Sequence, residues 1–311
     1  YQDFPAALDS IRALHGEFEV KFKGETSKLV FLLSANYGRR VGHHIYKWSK
    51  QDGFSTRSQE YTPCTDPHCW QPTPPGILSA FEPEWGQLRT FALEDGAEAD
   101  QGPPPVYSEE PDSEFYTLAL EVYDTVNNLS PEQETIALYW ADGPGVTGTP
   151  PGHSISMTRQ LMEQENFALD VAAEAYAKAG IAVADAFITC WWSKYQYNLL
   201  RPVTYIQRII DGTWLSFITT PNFPEYTSGH SAQSGAWAEV MTETFGDIAF
   251  TDHTHDDRGF EPRAFNTFFE AAEEAAVSRL YGGIHYRTGN ETGLEQGIAV
   301  GIKVSELRWR R

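Results

Sequence analysis

Apolar residues recur every three or four positions along most of this 311-residue chain, and this period confines it to a helical fold. Ser130, Pro131 and Gln133 mark one helix start with a cap, a first-turn proline and a capping box. Helices this numerous, joined by loops, imply an all-α fold of helical bundles. The predicted helices cover residues 28–50, 112–128, 130–140, 154–179, 181–199, 229–246, 264–281 and 291–308.

Two of these predictions are more specific. The apolar side chains of residues 28–50 follow the spacing of a buried helix. Gly180 separates two Ala-rich periodic segments and is expected to divide them into two helices.

Residues 51–111 interrupt the helical pattern and hold ten of the nineteen prolines. Trp70, Trp85 and Phe91 lie in this stretch and need a surface on which to pack. We therefore expect a long, Pro-rich but ordered loop layer within one domain over residues 1–311, and not a separate domain.

Size and charge exclude several classes of protein. A formal charge of −20 argues against a nucleic-acid or anionic-membrane partner. No run of eighteen apolar residues is present, which argues against a membrane-spanning protein. The chain begins at Tyr1 without Met, so we expect a processed form, secreted or periplasmic. The oligomeric state is left open.

The three cysteines do not by themselves indicate a function. Cys64 and Cys69 are expected either to form a disulfide or to remain free thiols, and zinc binding with His68 is the least favoured alternative. Cys190, next to two tryptophans, is typical of a small buried residue.

Lys194 and Arg201 form the first of three motifs that suit an anion. Seven residues are about two helical turns, so both side chains leave one helix face. Pro202 places Arg201 at the end of that helix. A solvated cationic face is the alternative, but Trp191, Trp192 and Tyr195 around Lys194 favour burial.

Ser228, Gly229 and His230 form the second motif, at the start of a helix of small residues. Free amides and the positive end of the helix dipole favour an anion there. Ser228 can donate its hydroxyl, Gly229 permits close approach, and His230 can transfer protons. A plain helix cap is the alternative.

Arg279 and His285 form the third motif. The glycines at 282 and 283 are expected to end a helix and free His285 to point into a pocket, although a core histidine is the alternative. The three motifs together supply cations, imidazoles and a hydroxyl, which is the inventory needed to bind a tetrahedral or bipyramidal oxyanion.

These motifs resemble those of vanadium-dependent haloperoxidases and type 2 phosphatidic-acid phosphatases. The pattern of that superfamily is K-x6-RP, PSGH and SR-x5-H-x3-D. This chain reads Lys194 to Pro202, then Thr227 to His230, then Ser278 to His285. Thr227 stands where proline is usual, and Gly289 stands where the last aspartate is usual.

The resemblance implies two packed four-helix bundles, with the vanadate site in residues 180–305. Vanadate would be held by Lys194, Arg201, Ser228, Gly229, Arg279 and His285. Among these, His285 would be the vanadium ligand, and Lys194 and His230 would be catalytic. Trp191 and Phe223 resemble halide-side residues.

The resemblance also bears on the groups behind the site. Asp142 resembles a carboxylate that pairs with a pocket arginine. Asn290, Glu291 or a backbone carbonyl could replace the aspartate missing at position 289. Apart from the resemblance, residues 253–257 have the side-chain types of metal ligands, but a solvated connection is the favoured alternative.

The activity implied is that of a bacterial iodo- or bromoperoxidase. Hydrogen peroxide would oxidise halide, iodide before bromide, to hypohalous acid, which reacts with a small organic acceptor. One alternative is a soluble acid phosphatase with a phosphohistidine intermediate. A second is an oxyanion-binding relative without catalysis.

Overall fold

The structure, a computed structural model, describes residues 5–62, 64–75 and 78–309. The chain forms two compact units, Tyr1–Ser55 and Thr56–Arg311. In the described residues ten α-helices are present and the fold is mostly helical, so the all-α prediction is confirmed. No described helix is both long enough and apolar enough to cross a bilayer.

The first unit consists of helix α1 (Pro5–Glu25) and helix α2 (Lys28–Ser49). Ser27 caps α2 by accepting a hydrogen bond from the backbone N–H of Val30 at 3.3 Å. None of the residues of α2 is buried, so the prediction of a buried helix there is wrong. Its apolar side chains follow the helical period, but most of them are exposed.

The second unit carries the remaining helices. In the described residues it has one two-stranded antiparallel sheet, which pairs β1 (Phe250–Asp252) with β2 (Arg263–Phe265), Phe250 opposite Phe265. The predicted helix start at 264 is wrong because residues 263–265 form β2. The elements are α3 (Glu114–Asn127), α4 (Pro131–Tyr139), α5 (Thr149–Gln164), α6 (Leu169–Tyr197), α7 (Pro202–Ile209), α8 (Gly229–Phe245), β1 (Phe250–Asp252), β2 (Arg263–Phe265), α9 (Phe268–Tyr281) and α10 (Arg287–Ser305), with 3-10 turns at Trp85–Gln87 and Asp256–Arg258.

Helix α6 runs unbroken through Gly180, so the predicted division there is wrong. The break between α5 and α6 lies earlier, where Asn166 adopts a left-handed φ of 49°. One glycine inside an Ala-rich helix costs only about 1 kcal/mol, which the packing of 29 residues outweighs. The long helix places Lys194 in its last turn.

Helix α8 is the centre of the second unit and packs against α6, α9 and α10. Glycines let α8 and α10 approach closely. A Cβ added at Gly235 would lie 2.7 Å from the carbonyl oxygen of Leu294, and one added at Gly297 would overlap Ala232. The approach brings the starts of both helices together, where the Ser228 N–H donates to the Gly289 carbonyl at 2.9 Å.

The Pro-rich stretch packs on the segment between α6 and α7. Cys64 and Cys69 form a disulfide, and Trp70 in the same loop is fully buried. The Trp70 N–H donates to the Asn198 carbonyl at 2.8 Å, and the Leu200 N–H donates to the His68 carbonyl at 2.8 Å. This loop therefore fixes the backbone that leads to Arg201.

Candidate functional site

Three buried cations converge at the ends of helices. Lys194 lies in the last turn of α6, Arg201 is the N-cap of α7, and Arg279 lies in the last turn of α9. The prediction that Lys194 and Arg201 share one helix is therefore wrong, because α6 ends at Tyr197. Lys194 and Arg201 have no exposed surface, and Arg279 has 1%. Burial lowers the pKa of Lys194 to about 8, because an isolated charge is poorly solvated there.

Backbone carbonyls hold the first two cations. The Lys194 ammonium donates to the carbonyls of Glu225, at 2.9 Å, and of Pro224 and Thr227. Arg201 Nε donates to the Phe223 carbonyl at 2.9 Å. The loop of residues 223–227 therefore wraps around both cations.

Arg201 and Arg279 are otherwise sparsely bonded. Arg201 Nη1 donates to the Ile284 carbonyl at 2.7 Å, but its buried Nη2 has no partner. Arg279 donates to the Ser278 hydroxyl at 2.9 Å and to the Ala137 carbonyl at 3.1 Å. Burial lowers the pKa of each guanidinium to about 10.

This donor set fits an oxyanion. In the described residues none of Lys194, Arg201 and Arg279 forms an ion pair with a carboxylate. Three buried positive charges without a carboxylate partner are costly unless an anion compensates them, and Arg201 Nη2 is also a buried donor with no partner. Vanadate or phosphate would supply that compensation.

The start of α8 completes the donor set. Ser228 is the N-cap, and its hydroxyl accepts from the Ser231 N–H at 3.4 Å. The positive end of the α8 dipole lies at Gly229. Burial and the charge of Arg279 lower the pKa of His230 to about 3, and its Nε2 has no partner. His230 is therefore a neutral imidazole with a free nitrogen.

His285 stands beside Arg201, after a turn in which Gly283 has φ of 74°. Its Nε2 lies 3.1 Å from Arg201 Nη1, and its Nδ1 lies 2.7 Å from Glu225 Oε1. Burial and the charges of Arg201 and Lys194 hold the pKa of His285 well below its usual value. The ring is neutral, and a carboxylate at Nδ1 leaves the Nε2 lone pair facing Arg201.

Comparison with known proteins identifies the family of this chain. Residues 174–213 and 207–310 match the family described as the VCPO second helical-bundle domain. A bacterial vanadium-dependent iodoperoxidase of known structure is 40% identical, with a TM-score of 0.86 over 95% of this chain and 73% of that one. The chain belongs to the vanadium haloperoxidase family.

Two further relatives are more distant. A bacterial vanadium-dependent chloroperoxidase shares the fold, with a TM-score of 0.68 at 19% identity over 84% of this chain and 69% of that one. The vanadium chloroperoxidase of Curvularia inaequalis is 28% identical over 139 residues, which are 36% of this chain and 22% of that protein. The matched segment thus spans about a fifth of that curated relative.

The group that accepts a hydrogen bond from His285 Nδ1 is neither of the two side chains predicted for that role, Asn290 and Glu291. Asn290 is buried, but its Oδ1 has no partner, and Glu291 is exposed and pairs with Arg287 at 3.7 Å. Neither replaces the aspartate that the family pattern has at position 289. Glu225, which the sequence did not single out, makes that contact.

Asp142 lies in a buried ionic cluster behind the pocket. His153 Nδ1 is 2.9 Å from Asp142 Oδ2, and its Nε2 is 2.6 Å from Asp252 Oδ2. His255 Nε2 lies 3.2 Å from Asp142 Oδ1 with only 2% of the residue exposed. The prediction of a solvated connection at 253–257 is therefore wrong for His255, although His253 is exposed.

The cluster acts electrostatically on the pocket. Burial raises the pKa of Asp142, but the hydrogen bond of His153 and the nearby His255 outweigh it and hold that pKa well below its usual range. The resulting negative charge favours the charged forms of Arg279 and His230. Asp142 makes its hydrogen bond to His153, so its influence on Arg279 is through charge.

Two aromatic rings cover one side of the cations. The centroids of Trp191 and Phe223 are 4.9 Å apart. The Lys194 ammonium lies 5.7 Å from the Trp191 ring and 5.1 Å from the Phe223 ring, and the Arg201 guanidinium lies 5.0 Å from Phe223. The structure thus brings both predicted halide-side residues next to Lys194.

Proposed function

We propose that the chain is a vanadate-dependent haloperoxidase that uses hydrogen peroxide to oxidise halide to hypohalous acid. The observation that carries the proposal is the set of three buried cations that lack carboxylate partners and surround a neutral His285. Bound vanadate would supply a Lewis-acid centre for peroxide.

Each residue has a proposed task in that reaction. Lys194, Arg201, Arg279, Ser228 and the Gly229 amide would neutralise and orient the oxyanion. His285 would present Nε2 to it. His230, with a free and neutral Nε2, would accept a proton from incoming peroxide and return it to the leaving water.

Iodide is the proposed first halide, with bromide second. The support is the 40% identity to a bacterial iodoperoxidase over 95% of this chain. Trp191 and Phe223 would form the apolar wall along which a large, weakly hydrated halide approaches. The oxidised halogen would then pass to a small organic acceptor.

A phosphatase is the alternative, because phosphate is also a tetrahedral oxyanion. In that case the neutral Nε2 of His285 would attack phosphorus. Vanadium content after vanadate soaking, phosphate competition, and dye iodination with and without vanadate separate the two. We expect about one vanadium per chain, displaced by phosphate, and iodination only with vanadate. Phosphatase turnover in the untreated protein without iodination would favour the alternative.

Two histidine variants test the assigned tasks. His285→Ala should lose vanadium itself. His230→Ala should keep most vanadium but lose about a hundredfold or more in turnover, the usual size of a general acid–base contribution. Vanadium content and iodination rate are measured on both variants. If His230→Ala empties the site while His285→Ala leaves it full, the assignment is reversed.

A further inference from the structure

Glu225 has no counterpart among the residues of the three sequence motifs. Its carboxylate is completely buried, and its Oε1 lies 2.7 Å from His285 Nδ1. The same oxygen accepts from the Tyr286 N–H at 3.1 Å. Two donors from consecutive residues thus converge on one carboxylate oxygen.

The backbone of Glu225 is equally constrained. Its N–H donates to the Leu199 carbonyl at 2.9 Å, and its own carbonyl accepts from the Lys194 ammonium at 2.9 Å. The backbone of Glu225 is therefore held on both sides, which fixes the point from which the side chain extends toward His285.

Gly289 lies against this carboxylate. A Cβ added at Gly289 would overlap Glu225 Oε1, and it would also lie 2.9 Å from the carboxylate carbon and 3.0 Å from Oε2. Glu225 therefore fills the volume that the side chain of an aspartate at position 289 would need. In the family pattern that aspartate follows the histidine by four residues.

We propose that Glu225 is the positioning residue of His285, and that it replaces the aspartate of position 289 from a different loop. The carboxylate accepts a hydrogen bond from the Nδ1–H, which fixes the tautomer and directs the Nε2 lone pair toward the oxyanion. Glycine at 289 is required because the two carboxylates would occupy one volume. This inference rests on the proposed function, since it assigns His285 as the ligand.

Variants that remove the carboxylate at position 225 and introduce one at position 289 test this replacement. Glu225→Ala should raise the vanadate Kd about 10- to 100-fold, the usual effect of removing the partner of a ligating histidine. Gly289→Asp alone should lower stability, because its side chain overlaps Glu225. The double variant E225A/G289D should regain most of the lost affinity, because the aspartate enters the emptied volume. Glu225→Gln, which keeps an acceptor oxygen, should fall between wild type and Glu225→Ala.

Two measurements keep the outcomes separate. Nitrogen-15 NMR of histidine-labelled protein at pH 8.5, without vanadate, reports the His285 tautomer directly. We expect the proton on Nδ1 in wild type and in the double variant, and a mixture of tautomers in Glu225→Ala. Equilibrium dialysis with vanadate gives each Kd, and circular dichroism confirms folding.

The results that overturn the inference differ from those that overturn the proposed function. If the His285 tautomer and the vanadate Kd are both unchanged in Glu225→Ala, Glu225 does not position His285. A folded double variant that binds no better than Glu225→Ala would disprove the replacement of position 289. If wild type itself binds no vanadate, the proposed function fails, while the NMR result still decides whether Glu225 fixes His285.

Discussion

Replacing His153 by glutamine should reveal a buried imidazolium behind the anion pocket. Both nitrogens of His153 face carboxylate oxygens, Asp142 at 2.9 Å and Asp252 at 2.6 Å. Carboxylates only accept hydrogen bonds, so both ring nitrogens must donate. Burial alone lowers the pKa of His153, but its bonds to the two carboxylates outweigh burial and raise it to about 9.

The pKa gives the magnitude and the direction of the pH effect. An unfolded histidine has a pKa of about 6.5. The gap of roughly 2.5 pH units corresponds to about 3 kcal/mol of folding free energy. Because the folded pKa is raised, this contribution is complete below about pH 6.5 and is lost as the pH rises through about 9. Removing one partner of a buried ion pair costs a similar amount, roughly 3 to 5 kcal/mol.

Urea unfolding of wild type and His153→Gln from pH 6 to pH 10 measures this contribution. We expect His153→Gln to be less stable by about 3 to 5 kcal/mol at pH 6, and the difference to shrink by about 3 kcal/mol by pH 10. The matched control is His253→Gln, since His253 also pairs with an aspartate but is exposed. It should stay within about 0.5 kcal/mol of wild type. A difference between wild type and His153→Gln that does not vary with pH would show that His153 is not charged in the folded protein.

Three further outcomes are expected. Cys64→Ser should lower the free energy of unfolding by about 2 kcal/mol in urea, because the disulfide closes a short loop; equal stability with and without reductant would contradict this. Gly297→Ala should destabilise by more than about 2 kcal/mol through overlap with α8, whereas Gly180→Ala, which meets nothing within 4 Å, should stabilise by roughly 0.5 to 1 kcal/mol. Trp191→Ala should change the iodide-to-bromide ratio of kcat/KM more than the vanadate Kd; an unchanged ratio would remove Trp191 from the halide side.

The features predicted well from sequence depend on local geometry. The cap and capping box of Ser130 and Gln133 involve residues three apart, and both are present in the structure. The burial predicted for Lys194 is confirmed, but the prediction that Arg201 lies two turns later on the same helix is wrong, because α6 ends at Tyr197 and Arg201 is the N-cap of α7. A helix cap can be predicted from sequence because residues close together in the chain determine it.

The features that were missed depend on contacts between distant residues. Glu225 and His285 are 60 residues apart, and His153 and Asp252 are 99 apart. Glu225 stands next to Pro224 in a loop, where a carboxylate is ordinarily solvated. The one sequence signal was indirect, since glycine at 289 implied that another group holds the histidine. His255 was misjudged for the same reason, because its partner Asp142 belongs to a different loop.

The chemistry of the pocket depends on what kind of group holds its cations. Carbonyl oxygens accept hydrogen bonds from Lys194, Arg201 and Arg279 without cancelling their charge. A carboxylate in the same places would compete with the incoming anion, because it would neutralise the charge in advance. The nearest acidic groups, Glu225 and Asp142, instead bond to histidines. The positive charge of the three cations therefore stays available to the oxyanion, while the acidic groups set the orientation and charge of the imidazoles.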